Sequence, residues 1–267
     1  FNLAGGTDSL TLADGTNQAT VSNVETLTGG TGNDTITLGS TLTGMTLDLG
    51  AGLDSLTLAN VANTGTISNV EVLTGGTGND AVTIATAMVG ATVNLGAGSD
   101  SLTLGNFANS VTISNVEQIT GGTADDSIVI STGLASGTVN LGGGNDSLTL
   151  SNAANTVTVS NVETLSGGSA NDTVTLATTL TGMTVDLKAG IDTLILANVA
   201  NTGTVTNVEA ITGNAAADTI TLATAVTAGT FNLAGGTDAL TLANGTNSAT
   251  VSNVETLTGG TGADTIT

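Results

Sequence analysis

Residues 29–37 read Gly-Gly-Thr-Gly-Asn-Asp-Thr-Ile-Thr: a glycine-rich turn, one aspartate, then alternating threonine and isoleucine. The device returns complete at residues 75–83 (GGTGNDAVT) and 259–267 (GGTGADTIT). Altered copies open at Gly121, Gly167 and Gly213, so every start lies 46 residues after the last. A fixed period of this size denotes a repeat architecture.

Each 46-residue unit holds a second turn with the same grammar. It is marked by Asp8, Asp54, Asp100, Asp146, Asp192 and Asp238, each with glycine two residues before and leucine two residues after. The spacing between successive turn aspartates alternates between 20 and 26. Period-two alternation puts Ile36, Leu38, Met45, Leu47 and Leu49 on one strand face and Thr35, Thr37, Thr46 and Asp48 on the other. Around Val70 and Leu73 the apolar spacing changes from two to three, which predicts a corner or bulge before a short third strand. No window has helical periodicity, and frequent glycine opposes a helix.

The expected fold is therefore all-β: a parallel β-solenoid of the β-roll or β-helix kind, with two coils per 46-residue repeat. Residues 1–267 read as one continuous solenoid, a window of about 5.8 repeats from a longer array. Residues 1–37 and 231–267 differ only at Ser9/Ala239, Asp14/Asn244, Gln18/Ser248 and Asn33/Ala263. Coils without polar caps are expected to self-associate, end to end or side by side.

The pattern Gly-Gly-x-Gly-x-Asp-x-apolar-x, filled by Gly29, Gly30, Gly32, Asp34 and Ile36, resembles the calcium-binding nonapeptide of the RTX (haemolysin-type) repeat proteins of bacteria. The usual RTX β-roll strings its nonapeptides head to tail. Here other strands separate them, as in diverged repeats of surface-layer proteins and large repeat adhesins. The resemblance implies a calcium-stapled, secreted solenoid with a structural role. Its glycine ligands would be Gly29, Gly30, Gly32, Gly75, Gly76, Gly78, Gly259, Gly260 and Gly262.

Composition agrees with a thin, repetitive core. There is no Pro, Cys, Trp or Tyr and only three Phe, so medium aliphatics must stack on copies of themselves. Twenty-two acidic residues face a single base, Lys188. That balance excludes nucleic acid and anionic membrane surfaces as partners, because both need basic side chains. No apolar run is long enough to insert into a membrane.

With one turn aspartate per coil, Asp8, Asp34, Asp54, Asp80, Asp100, Asp126, Asp146, Asp172, Asp192, Asp218, Asp238 and Asp264 are expected to form one column along one edge. Adjacent charges about 5 Å apart repel by about 0.8 kcal/mol even at the dielectric of water. Calcium between turns reverses that sign, since it accepts carboxylate and carbonyl oxygens at loose geometry. Zinc, copper and iron prefer His or Cys, both absent. The plainer alternative is a tight turn in which Asp bonds its own main chain. The recurrent Asn-Val-Glu corners (Glu25 and its copies) read as solvated, with a second metal row as the lesser possibility.

Ala124 and Ala170 replace the third glycine, a strained choice if that position needs positive φ. The functional expectation is a non-enzymatic, extracellular, calcium-stabilised rod in a surface layer, filament or adhesin stalk. The alternative is a binding module that offers its outward threonine rows to ice or polysaccharide.

Overall fold

A computed structural model describes all 267 residues as strands, turns and loops, with no helix. The chain forms two compact units: residues 1–130 with 141–144, and residues 131–140 with 145–267.

In the first unit, one sheet runs through Ser9–Thr11, Thr26–Thr31, Thr43–Ala51, Thr64–Ser68, Ala81–Ile84, Ser101–Thr103 and Gln118–Thr120. The other runs through Gln18–Val21, Thr35–Leu38, Ser55–Thr57, Val72–Gly76, Val89–Gly96, Ser110–Ser114 and Ser127–Ile130. Consecutive strands alternate between the sheets, and each strand pairs in parallel with the next strand of its own sheet. This is a two-sheet parallel β-solenoid, as the alternation predicts.

The second unit repeats the plan. One sheet holds Gly137–Asn140, Thr156–Ser160, Thr173–Leu176, Thr193–Ile195, Ala210–Asn214, Thr227–Ala234, Ser248–Ser252 and Thr265–Ile266. The other holds Ser147–Thr149, Thr164–Ser166, Thr184–Asp186, Thr202–Thr206, Thr219–Leu222, Ala239–Thr241 and Thr256–Thr258.

Parallel pairing in register stacks like on like. Ile36 pairs with Leu56, Leu56 with Leu73, Leu73 with Val93, Val93 with Ile113, and Ile113 with Ile130. All six are buried between the sheets. Each buried aliphatic of this size contributes about 1.5–3 kcal/mol. Ile36, Leu38, Met45, Leu47 and Leu49 are all core residues, while Thr35, Thr37 and Thr46 are exposed.

The coil count differs from the expected two per repeat. One 46-residue unit supplies five strands: Thr35–Leu38, Thr43–Ala51, Ser55–Thr57, Thr64–Ser68 and Val72–Gly76. Two strands make a turn, so a repeat is two and a half turns. The reason is that the chain also bends at Leu42 and Asn63, corners that carry no Gly-x-Asp signature. An odd number of strands moves each copy to the opposite sheet. Thr35–Leu38 lies in one sheet, and its copy Ala81–Ile84 lies in the other.

The Asn-Val-Glu segment is the predicted corner. Asn69 takes φ 54° and Val70 is buried, between strands Thr64–Ser68 and Val72–Gly76. Asn23, Asn115, Asn161, Asn207 and Asn253 share that left-handed conformation, which asparagine tolerates better than most residues.

Candidate functional site

The turn aspartates do not form one column. The half-turn left over in each repeat assigns them to both edges of the solenoid. Asp34 and Asp54 bend the chain from the first sheet to the second, whereas Asp80 and Asp100 bend it back. The 20-residue spacing is one full coil along an edge, and the 26-residue spacing crosses to the other edge.

Along an edge the corners follow a cycle of five. In the first unit one such cycle is Leu42, Asn63, Asp80, Asp100 and Glu117. Hydrogen bonds run through it from each coil to the next. The Leu42 N–H donates to Asn63 Oδ1 at 3.0 Å. Asn63 donates its main-chain N–H and its Nδ2 to Asp80 Oδ1, at 2.9 and 2.8 Å. The Asp80 N–H donates to Asp100 Oδ1 at 2.7 Å, and the Asp100 N–H to Glu117 Oε2 at 2.8 Å.

The other edge repeats this through Asn17, Asp34, Asp54 and Glu71. In the second unit it recurs through Asn155, Asp172, Asp192 and Glu209, and again through Asn201, Asp218, Asp238 and Glu255. Further links of the same kind join Asp8 to Glu25, Asn109 to Asp126, Asp146 to Glu163, and Asn247 to Asp264. The glutamates thus serve as the last rung of a ladder while staying half-exposed, or exposed at Glu255. The asparagine and glutamate rungs carried a signal in the sequence: Asn63 to Asp80 and Asp54 to Glu71 are both 17 residues apart.

Ten of the twelve aspartates, all but Asp8 and Asp264, are buried to 2% exposure or less. The carboxylates of Asp34, Asp54, Asp80, Asp100, Asp126, Asp172, Asp192, Asp218 and Asp238 accept from main chain, which accounts for part of the cost of burying their charge. In three of the cycles burial tells on the second aspartate, the one that donates to the glutamate. Burial pushes the carboxyls of Asp54 and Asp100 up, and neighbouring carboxylates add to the effect. Asp192 is pushed up to about 6 by burial, against the hydrogen bond from Asp172. Asp264 is held below its usual range by the Asn247 side chain.

Does this arrangement suit calcium? One feature does. Oδ2 of Asp34, Asp54, Asp100, Asp192, Asp218 and Asp238 is buried without a hydrogen-bond partner, and such atoms call for a proton, a water or an ion. Another feature limits it. No three acidic side chains converge on a common point, and the Oδ1 atoms are already engaged. A cation here would take one carboxylate oxygen per coil and draw the rest of its shell from main-chain carbonyls.

The glycines answer to packing. A Cβ on Gly29 would collide with the Leu49 carbonyl, and one on Gly30 would lie 2.8 Å from the Ala13 carbonyl oxygen. Gly75, Gly76, Gly260, Gly32, Gly78 and Gly262 meet neighbouring main chain in the same way, while Gly259 faces Asp264 Oδ2 at 2.8 Å. None of these nine has positive φ. The left-handed glycines include Gly50, Gly96 and Gly142 at the strand ends. The third-glycine position held by Ala124 and Ala170 is therefore crowded rather than left-handed.

No protein-family model, curated protein or solved structure matches the chain. The class established by the fold is a two-sheet parallel β-solenoid with carboxylate ladders at its corners.

Proposed function

We propose that this chain is a structural, non-enzymatic repeat module of a secreted or cell-surface bacterial protein, serving in a surface layer, filament or adhesin stalk. The observation that carries this reading is the ladder itself. Three of every five corners along an edge are tied to the next coil by a charge-assisted hydrogen bond from main chain. Such ties are shorter and stronger than neutral ones, and they stiffen a stack of coils against separation. Repeats of this kind gain stability from each added neighbour, which suits a load-bearing element.

Calcium is the counter-ion this proposal includes, held at the partnerless Oδ2 atoms, among them those of Asp54, Asp100 and Asp192, whose carboxyls burial pushes up. A bound ion stabilises the folded state by mass action. Thermal unfolding followed by circular dichroism, in millimolar calcium and in excess chelator, tests the ion. A melting temperature that rises with calcium supports it, and an unchanged one removes calcium while leaving the structural role. Electron microscopy of the protein across a concentration series tests that role separately. Ordered assemblies support it, and monodisperse particles at every concentration argue against it.

A second reading rests on the threonines. Thr26, Thr46, Thr66, Thr83, Thr103 and Thr120 pair in sequence along one sheet, all exposed. Thr204, Thr221, Thr241 and Thr258 pair in the same way in the second unit, with Thr204 and Thr258 exposed and Thr221 and Thr241 half-exposed. An ordered rank of hydroxyls about 4.8 Å apart offers a surface to ice or a crystalline polysaccharide. Thermal hysteresis and cellulose or chitin pull-down assays would detect it.

A further inference from the structure

One loop carries chemistry that neither the ladder nor the threonine ranks use. The position occupied by Asn60, Asn106, Asn152 and Asn198 is followed by Val61, Phe107, Ala153 and Val199. In the last copy it is Asn244 followed by Gly245, the one Asn-Gly pair in the chain. In the first copy the same position is Asp14 followed by Gly15.

We propose that Asn244 is a site of spontaneous deamidation, in which the Gly245 main-chain nitrogen is the nucleophile. Both residues are exposed, and Gly245 has φ 118°, a conformation that lacks the restraint of a side chain. No hydrogen bond occupies the Gly245 N–H. The Thr261 N–H donates to Asn244 Oδ1 at 3.2 Å, which draws electron density from the side-chain carbonyl. The Gly245 nitrogen loses its proton and bonds to Asn244 Cγ. The Cγ–Nδ2 bond breaks, and ammonia leaves with that proton. Water then opens the cyclic imide at either carbonyl, giving aspartate or isoaspartate. At Asn60, Asn106 and Asn198 the next side chain is bulky or β-branched and shields the nitrogen.

The two products differ in consequence. Aspartate is the residue that stands at Asp14, so the loop accepts it. Isoaspartate reroutes the main chain through an extra methylene. Asn247 Nδ2 spans this loop, donating to the Ala243 carbonyl at 2.9 Å and the Gly245 carbonyl at 3.3 Å while also holding Asp264. Isoaspartate therefore loosens the Asn247–Asp264 rung, and the loop becomes a marker of the protein's age.

The test is incubation of the folded protein at mildly alkaline pH, then peptide mapping by mass spectrometry with enzymatic isoaspartate detection. Conversion of Asn244 to both products, with Asn60, Asn106, Asn152 and Asn198 intact, is expected, as is loss of the reaction in Gly245→Val. Conversion of Asn244 no faster than Asn198, or only after denaturation, overturns the proposal.

Discussion

The Asp80 main-chain N–H donates a 2.7 Å hydrogen bond to Oδ1 of Asp100, one coil further along the same edge, with both residues about 1% exposed. Two acidic residues are thus neighbours through a main-chain donor rather than through facing charges. Removing the acceptor strands that donor. Asp100→Ala is expected to destabilise the protein by about 1–3 kcal/mol, measured by denaturant unfolding. Asp100→Asn keeps Oδ1 and removes the charge, so it should lose much less. Equal losses in the two variants would mean that charge, not the hydrogen bond, matters at this corner.

The raised carboxyls of Asp54, Asp100 and Asp192 give a pH dependence of defined sign in chelator-treated protein. A carboxyl raised on folding binds its proton more tightly in the native state. Stability therefore increases as pH falls through the folded value, about 6 for Asp192, towards the unfolded value near 3.8. Melting temperatures should be higher at pH 5 than at pH 7, opposite to the trend for salt-bridged carboxylates. Saturating calcium should shrink the difference if it occupies the same oxygens.

Ala234 sits at φ 70°, where the equivalent Gly50, Gly96 and Gly142 take φ between 87° and 94°. The left-handed conformation costs a residue with a Cβ about 1–2 kcal/mol, part of which glycine's unfolded-state entropy offsets. Ala234→Gly should stabilise by about 0.5–1 kcal/mol in denaturant unfolding. A destabilised variant would show that this Cβ contributes packing worth more than the strain.

Glycines in this chain divide into crowded and open positions, and alanine substitution should separate them. A Cβ on Gly76 would lie 2.8 Å from the Ala59 carbonyl oxygen and from Asn60 Cα, whereas one on Gly5 meets nothing within 4 Å. Gly76→Ala should cost about 1–3 kcal/mol by forcing coils apart. Gly5→Ala should be neutral or slightly stabilising. Comparison of the two melting curves decides whether inter-coil contact governs glycine use.

Much of this architecture was legible from residues 29–37 and their copies. The 46-residue period, the strands, and the inward set Ile36, Leu38, Met45, Leu47 and Leu49 follow from spacing alone, because side chains on a strand alternate and repeats stack like residues. The ladder was only partly legible. Its aspartates stand out by recurrence, but Asn63 and Glu71 look like ordinary loop and corner residues until pairing brings Asn63 to Asp80 and Asp54 to Glu71.

Sequence by itself determined where strands lie, which face is apolar, and that aspartate recurs at turns. Tertiary structure alone decided which aspartates are neighbours. A repeat of two and a half turns sends Asp34 and Asp80 to opposite edges, and the bends that set this count, at Leu42 and Asn63, have no turn signature. The physical reason is that coil register is chosen by core packing and by main-chain donors reaching acceptors 17 to 21 residues away. Local spacing cannot encode a partnership made across a coil.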